Sequence, residues 1–264
     1  MPFNQILLSG GRRFFSLSIS AEDLSSTYDV EAEVISNYGI SGTIKGDSIQ
    51  LNVAAVNVVA ATTSGYAVDA DGLHDEALFE IVLAGGGFLS GRGGDAGRGG
   101  LGWWDAEPPA QDRSITGQAG GNGGAAIRYG CDTTLSGTGT VRKGYGGGGG
   151  GGGGATSSSN RGGGGGGGGG APLGAGGVGG GSDPAGNSGS NGTVATVPNN
   201  GTGGTEGHVV AGDGGDGGDT GSVAQAGEGG TGGIGAAGSD GDAIHKQGFA
   251  HSAGGGITIT GPVV

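Results

Sequence analysis

The sequence contains little of what usually builds a protein interior. Aromatic residues make up 5% of the 264 residues, and there are one methionine, one cysteine and seven prolines. A single cysteine, Cys131, excludes an intramolecular disulfide. The longest apolar stretch, 51–61, is interrupted by Asn52 and Asn57 and is too short to cross a bilayer. We therefore expect no membrane insertion.

Positive charge is also scarce. The chain has 11 Lys and Arg against 24 Asp and Glu, which gives a formal net charge of −13. An acidic chain without a basic patch binds nucleic acid poorly, so we expect no nucleic-acid partner. No positively charged segment precedes the apolar residues 6–8, which predicts synthesis in the cytoplasm without a signal peptide.

Glycine is what the chain has in excess. It accounts for 76 residues, only seven of which precede residue 85, and many of the others are spaced three apart, as in Gly91, Gly94, Gly97 and Gly100. A left-handed polyproline-II-type helix has three residues per turn, so every third residue faces the same neighbour, and only glycine allows close backbone approach there. The spacing favours packed helices of this type over the low-complexity disorder that the composition alone would indicate.

Such tracts must come as a group. Fixing a backbone costs about 1–2 kcal/mol per residue, whereas a net hydrogen bond returns about 0.5–1.5 kcal/mol, so an isolated tract is unstable. Eight tracts are countable, which is enough for a layered polyglycine-II sandwich. They lie at about residues 85–102, 117–124, 144–154, 162–181, 186–192, 201–207, 212–221 and 227–241.

The first 84 residues are different. Alternating patterns at 15–19 and 30–34, together with apolar stretches at 48–61 and 78–83, predict β-strands, and a short helix at 21–25 is an alternative. The predicted fold is therefore an all-β N-terminal module, residues 1–84, followed by a polyglycine-II sandwich, residues 85–264, with almost no α-helix.

No catalytic or metal site is indicated. None of the glycine tracts ends in the Gly-Lys-Ser/Thr of a phosphate-binding loop. Asp213, Asp216 and Asp219 would line one helix face about 9 Å apart, too far to share an ion. His74-Asp75-Glu76 is more typical of a solvated turn, and Cys131 of a small buried residue. We expect no cofactor, no metal and no enzymatic activity, since a polysaccharide-degrading enzyme would need a long β-helix with clustered carboxylates.

The connectors between tracts carry the candidate binding residues. Trp103 and Trp104 are the only tryptophans and lie in a connector with Pro108 and Pro109, where large aromatics are typical binding anchors, although they could equally cap the glycine block. If successive tracts are antiparallel, the connectors 101–116, 155–161, 193–200 and 222–226 share one end. The candidate binding residues on these connectors are Trp103, Trp104, Asp105, Ser157, Asn160, Arg161, Val197, Asn199, Asn200 and Gln225.

The β-structured start, the segment Gly91 to Gly100, the segment Gly120 to Ile127 and the long glycine runs alternating with loops resemble the adhesins at the long-tail-fibre tips of T-even-type bacteriophages. The resemblance implies a virion protein of the distal tail that binds a host outer-surface receptor, protein or polysaccharide, through loops on a polyglycine-II scaffold. It also implies attachment to other tail proteins, for which residues 1–84 are the candidate. Whether the glycine block forms within one chain or across a homotrimer is left open. A structural or assembly protein without receptor contact is the alternative.

Overall fold

The computed structural model describes residues 6–7, 12–106, 109–157, 159–182, 186–197 and 199–264. The chain divides into two units. The β unit comprises residues 1–91, 125–143 and 242–264, and the glycine unit comprises residues 92–124 and 144–241. The predicted boundary near residue 84 differs from this division, because two later segments, 125–143 and 242–264, belong to the β unit.

Within the described residues the chain forms one α-helix and otherwise short strands. In chain order they are β1 (Ile6–Leu7), β2 (Arg13–Ile19), β3 (Tyr28–Asp29), α1 (Val30–Tyr38), β4 (Ser48–Val53), β5 (Asn57–Val59), β6 (Val68–Asp69), β7 (Leu78–Leu83), β8 (Phe88–Ser90), β9 (Trp104–Asp105), β10 (Gln111–Asp112), β11 (Ile127–Arg128), β12 (Asp132–Gly137), β13 (Thr140–Arg142), β14 (Gly154–Ala155), β15 (Arg161–Gly162), β16 (Ile244–His245), β17 (His251–Ala253) and β18 (Thr258–Thr260). The prediction of an almost helix-free chain is confirmed.

The β unit is a short three-sided parallel β-helix. Its sheets have the strand orders β1-β2-β4-β7-β12-β17, β5-β8-β13-β18 and β3-β6-β11-β16. The chain visits the three sheets in turn, so that β3-β4-β5, β6-β7-β8, β11-β12-β13 and β16-β17-β18 are successive turns, and all ladders between these turns are parallel. A β-helix therefore does occur in this chain, although the sequence did not indicate one.

The interior of the β-helix is a set of side-chain stacks. The strand register aligns one inward position through Leu17, Leu51, Ile81, Leu135 and Ala253. Alternate residues point outward and are polar, as the period-two pattern of 15–19 predicts. This alternation holds the register, because a shift by one residue would turn every apolar side chain outward.

The helix α1 corrects one prediction. Residues 30–34 were expected to form a strand and 21–25 to be the alternative helix, but the helix runs from Val30 to Tyr38. Asp29 caps it by accepting the Ala32 N–H (3.0 Å), and Gly39 ends it in the left-handed region at φ 65°. Val30 and Val34, four residues apart, are its buried face, and this helical spacing competes with the alternating pattern.

The glycine unit consists of ten tracts joined by backbone hydrogen bonds rather than strand ladders. Hydrogen bonds between two neighbouring tracts recur every three residues. For example, the N–H groups of Gly94, Gly97 and Gly100 donate to the carbonyls of Tyr145, Gly148 and Gly151, respectively (2.8 Å each). The tracts run at about 92–102, 114–124, 144–154, 162–170, 174–181, 187–193, 201–207, 211–218, 224–229 and 234–241.

The predicted count of eight tracts is wrong because two of them contain turns. The chain turns at residues 171–173, after which Gly174, Gly177 and Gly180 donate back to Gly170, Gly167 and Gly164 (2.8–2.9 Å). Pro172 has no N–H to donate, and Leu173 takes a positive φ of 63°. A second turn near 231–232 divides the tract predicted at 227–241.

Backbone packing explains the demand for glycine. A Cβ added at Gly97 would lie 1.9 Å from the Gln118 carbonyl oxygen, and one added at Gly150 would lie 2.0 Å from that of Arg98. Non-bonded heavy atoms do not approach so closely, and backbone atoms on both sides leave no room to move. The two innermost tracts are 144–154 and 162–170, and their residues 146–154 and 162–170 are glycine throughout and buried throughout.

Candidate functional site

The connectors of the glycine unit lie at its two ends. Hydrogen bonds of 2.8–2.9 Å join the residues at which the chain enters and leaves the unit: Arg92, Gly124, Gly144 and Gly241. These residues therefore lie at one end of the unit, which we call the junction end. At the other, the loop end, Leu101, Ile115, Gly153 and Gly232 are joined in the same way (2.8–3.1 Å).

Because successive tracts are antiparallel, each connector can be assigned to one of these two ends. The connectors 103–113, 155–161, 182–186, 208–210 and 230–233 lie at the loop end. The connectors 171–173, 194–200 and 219–223 lie at the junction end. Because the turn at 171–173 was not foreseen, the expectation that 193–200 and 222–226 share an end with 101–116 and 155–161 is wrong.

The loop end brings together six of the predicted site residues. Trp103, Trp104 and Asp105 lie on the hairpin of β9 and β10, while Ser157, Asn160 and Arg161 lie on the hairpin of β14 and β15. Pro108, expected in the first of these loops, lies outside the described residues. Of the other candidates, Val197, Asn199 and Asn200 lie at the junction end, and Gln225 lies within a tract, where its backbone bonds to Asp216 and Gly149.

The tryptophan hairpin is held by polar contacts on its sides. Trp103 donates its N–H to Ser114 Oγ (3.2 Å) and accepts the Arg113 N–H (2.9 Å), and Arg113 Nε lies 3.0 Å from Asp105 Oδ2. The Trp103 side chain is nevertheless 50% exposed. It lines, with Leu101, Gly102 and Ser182, a cavity of about 230 Å³. These bonds hold the main chain of the hairpin, and half of the Trp103 side chain is open to solvent.

Asp112 connects three loop-end connectors. Burial by itself would raise its pKa, but hydrogen bonds from Ser114 and Thr231 and from the Ala155 N–H hold the pKa of this carboxyl below its usual range. Thr231 Oγ1 also accepts the Ala155 N–H (3.2 Å). The first, second and last loop-end connectors therefore form one connected surface rather than independent loops.

The second hairpin has its own bonding. Thr156 donates its N–H to the Asn160 carbonyl (2.9 Å), and Ser157 Oγ accepts the N–H groups of Ser159 and Asn160 (3.3 and 3.2 Å). The Asn160 side chain stays exposed, while Arg161 is partly buried. These bonds fix the loop backbone and leave the exposed side chain available for contact.

Sequence reasoning missed Val209. This residue, at the loop end between tracts, is 84% exposed. Pro172 was the signal that could have found it, since a proline between two glycine runs marks a turn and reverses the assignment of the connectors between it and the second turn near 231–232.

The side chains considered for chemistry are occupied elsewhere. Asp213 and Asp216 accept the N–H groups of Glu206 and Gly203 (2.7 Å each), so they close the outer tracts instead of facing solvent alone. Burial raises the pKa of Cys131 to about 12, which leaves its thiol unreactive. Among the described residues, no three His, Cys, Asp or Glu side chains are grouped to bind a metal ion.

Two carboxylates of the β-helix are held by neighbouring polar groups. Glu80, on the outward face, accepts bonds from Gln50 (2.9 Å) and Ser136 (2.7 Å), and Asp132 accepts the Ala250 N–H (2.8 Å). The one described helix is far too short to cross a membrane.

Comparison with known proteins shows which family the chain belongs to. The chain is similar in fold to the crystal structure of the gp37-gp38 adhesin tip complex of the bacteriophage S16 long tail fiber, with a TM-score of 0.51 and 23% identity over 96% of this chain and 83% of that one. No curated protein matches the sequence. A family model described as phage tail fibre adhesin Gp38 matches residues 15–264. The chain therefore belongs to the phage tail fibre adhesin Gp38 family.

Proposed function

We propose that this tail fibre adhesin binds its host receptor with the loop end of the glycine unit. The loop end carries the exposed surfaces of the connectors 103–113, 155–161, 182–186, 208–210 and 230–233. The observation that carries the proposal is that Trp103, Trp104, Asp105, Ser157, Asn160 and Arg161 gather at the end opposite to the junction end. Family membership places the protein in the virion tail and indicates a non-enzymatic role.

The scaffold in this proposal is a polyglycine-II sandwich. Three observations support it: hydrogen bonds recur every three residues, the tracts lack regular strand ladders, and the innermost tracts contain glycine alone at 146–154 and 162–170. A core made of backbone leaves connector residues free to change without repacking a side chain. Because hydrogen bonds hold the described backbone of the two hairpins before binding, little conformational entropy of that backbone is lost when a receptor is bound.

Attachment to the fibre belongs to the other unit in this proposal. The similar S16 structure is a complex of two tail-fibre proteins. The β unit, which includes the predicted module 1–84, is the part of this chain that has an apolar side-chain core and sheet edges, and we assign fibre attachment to it. Several adhesin-bearing fibres on one particle would then convert weak single contacts into tight adhesion through effective concentration.

Exchange of loops tests the receptor site. Residues 103–105 and 157–161 are replaced by those of a related phage with another host range, and adsorption to a bacterial panel is scored. We expect host range to follow these loop-end residues. The matched control exchanges Val197, Asn199 and Asn200 at the junction end, which we expect to leave host range unchanged.

Two other results would contradict the proposal that the receptor binds at the loop end. If host range follows the junction-end exchange, the receptor site lies among Val197, Asn199 and Asn200. If neither exchange alters host range, the proposal that these loop-end residues bind the receptor fails.

A further inference from the structure

One partly buried carboxylate links three segments of the loop end. Asp112 lies on β10, paired with Trp104 of β9, and its Oδ1 accepts the Ser114 N–H (2.8 Å). The hydroxyls of Ser114 and Thr231 and the Ala155 N–H also donate to this carboxyl group. Four donors therefore converge on one side chain, two from the nearby Ser114 and two from other connectors.

The hydrogen bonds continue from Asp112 to the tryptophan hairpin, residues 103–113. Ser114 Oγ, which donates to Asp112, accepts the Trp103 N–H (3.2 Å). A hydroxyl donates once and can accept twice, so Ser114 makes both bonds without conflict. The Trp103 carbonyl in turn accepts the Arg113 N–H (2.9 Å). The backbone that carries the exposed tryptophan is thus connected to the Asp112 carboxylate through one side chain.

Thr231 connects the same carboxylate to the second hairpin, residues 155–161. Its hydroxyl donates to Asp112 and accepts the N–H of Ala155, the last residue of β14 (3.2 Å). The residue after it, Gly232, donates its N–H to the carbonyl of Gly153 in an innermost tract (2.8 Å). The two hairpins are therefore linked to each other at a point that is itself bonded to the interior of the glycine unit.

We infer that Asp112 is a positioning residue of the receptor site, which holds the tryptophan hairpin and the second hairpin in one arrangement without contacting the receptor itself. This inference rests on the proposed function of the loop end. The two hairpins leave different tracts, so without the link each would have to be ordered separately when a receptor is bound. Receptor affinity should therefore depend on Asp112 and Thr231 as well as on the exposed side chains.

The number of donors explains why the residue is an aspartate. An ionised carboxylate only accepts, and its two oxygens offer about four acceptor sites, which matches the four donors. An asparagine side chain has one oxygen and an NH2 group, so in Asp112→Asn part of the donors would face another donor. We expect Asp112→Asn to behave like Asp112→Ala. Thr231→Ser keeps the hydroxyl and should behave like the parent.

The experiment measures binding of the labelled full chain to whole cells of the bacterial strain that the parent protein binds. We expect Asp112→Ala, Asp112→Asn and Thr231→Val each to weaken binding by about tenfold, because the hairpins must then be ordered on binding. Asp112→Ala combined with Thr231→Val should lose no more than Asp112→Ala alone, since both changes break one link. Additive losses, or equal binding by Thr231→Val and Thr231→Ser, would overturn the inference.

Fluorescence gives a second readout that needs no receptor. Trp103 and Trp104 are the only tryptophans, so the intrinsic fluorescence reports on this hairpin alone. Measured well below the midpoint of thermal unfolding, the tryptophan anisotropy should be lower in Asp112→Ala and Thr231→Val than in the parent, and Thr231→Ser should restore it. An anisotropy that none of these changes alters would show that Asp112 does not hold the hairpin.

The matched control is a carboxylate with the same kinds of bond at the junction end. Asp219 accepts the N–H groups of Gly221 and Ser222 and the Ser222 hydroxyl (2.8–3.0 Å). We expect Asp219→Ala to leave cell binding unchanged, and a loss as large as that of Asp112→Ala would contradict a role specific to the loop end.

Trp103→Ala separates the failure of this inference from the failure of the proposed function. If Trp103→Ala and the exchange of the loop-end residues both leave cell binding unchanged, the receptor proposal fails, and the positioning role fails with it. If Trp103→Ala weakens binding while Asp112→Ala does not, the receptor proposal stands and the positioning role alone is wrong.

Discussion

The β unit and the glycine unit bury their interiors with opposite materials. In the β unit, the fully buried side chains include Phe15, Ile49 and Ile81, and they are stacked turn upon turn. In the glycine unit, residues 146–154 and 162–170 of the two innermost tracts carry no side chain beyond hydrogen. A side-chain core adjusts to a change of shape by repacking, whereas a backbone core has nothing to repack. We therefore expect the interior of the β unit to tolerate changes of side-chain size, and the interior of the glycine unit to tolerate none.

The largest effect is expected from a single methyl group inside the glycine unit. In Gly150→Ala the new Cβ would lie 2.0 Å from the Arg98 carbonyl oxygen. Since only backbone surrounds the site, we expect a loss of more than about 4 kcal/mol of unfolding free energy, or failure to fold. Denaturant unfolding of the purified full chain measures it.

The control is a glycine at the surface of the same unit. A Cβ added at Gly229 meets only Ile234 Cγ2, at 3.7 Å. We expect Gly229→Ala to change stability by no more than about 0.5 kcal/mol. If Gly150→Ala were equally mild, the innermost tracts could not be packed backbone against backbone.

The second effect tests the side-chain core. Ile81→Ala removes three carbons from the stack between Leu51 and Leu135, and we expect it to cost about 2–5 kcal/mol. Ile81→Val, which leaves a smaller cavity, should cost about 0.5–1.5 kcal/mol. This graded response, measured by thermal unfolding, would contrast with the abrupt response at Gly150. A cost as large for valine as for alanine would contradict a core that repacks.

Side-chain patterns made the strands of the β unit predictable. Alternation predicted β2, and apolar stretches predicted β4, β5 and β7. The helix was missed because Val30 to Val34 satisfies periods of two and of four, and the Asp29 and Gly39 caps were the deciding signal. Parallel pairing between distant segments, such as β12 with β17, has no local signature at all.

Glycine spacing predicted the tracts, and it could also have predicted which tracts lie in the interior of the glycine unit. Unbroken runs are the innermost tracts, because a tract surrounded on all sides needs glycine in every phase. Outer tracts keep glycine in some phases and place Arg92, Asp95 and Arg98 in the outward one. The ends of the connectors were predicted only in part, because the unnoticed turn at Pro172 inverts the assignments that follow it until the second unnoticed turn, near 231–232, restores them. The predicted receptor role of the individual residues stays a prediction.

A smaller effect is expected where side chains accept hydrogen bonds from the backbone N–H groups of the outer tracts. An outermost tract has no neighbour to accept its outward N–H groups, and carboxylates or amides replace the missing carbonyls. Asp95 accepts the Ala175 N–H (2.9 Å), Asp216 that of Gly203 (2.7 Å) and Asn191 that of Gly179 (2.9 Å). We expect Asp216→Ala to cost about 1 kcal/mol in thermal unfolding.

Asp216→Asn is the matched variant, since its amide oxygen can accept the same bond. It should retain most of the stability that Asp216→Ala loses. If the two variants lost the same amount, the contribution of Asp216 would come from its charge and not from the bond to Gly203.

The smallest expected effect is a pH dependence confined to the β unit. Burial, with a lesser contribution from Lys246, lowers the pKa of His251, whose Nδ1 lies 2.7 Å from the hydroxyl of the buried Tyr129. A lowered pKa means that the unfolded chain binds the proton more readily. The stabilisation is therefore complete above about pH 6.5, the ordinary value, and declines as the pH falls below it. His251 is partly exposed, so the midpoint of thermal unfolding should fall only slightly more between pH 7 and pH 5 in the parent than in His251→Gln. Identical pH profiles would show that the unfolding of the β unit is not linked to this proton, and that the two cores differ in packing alone.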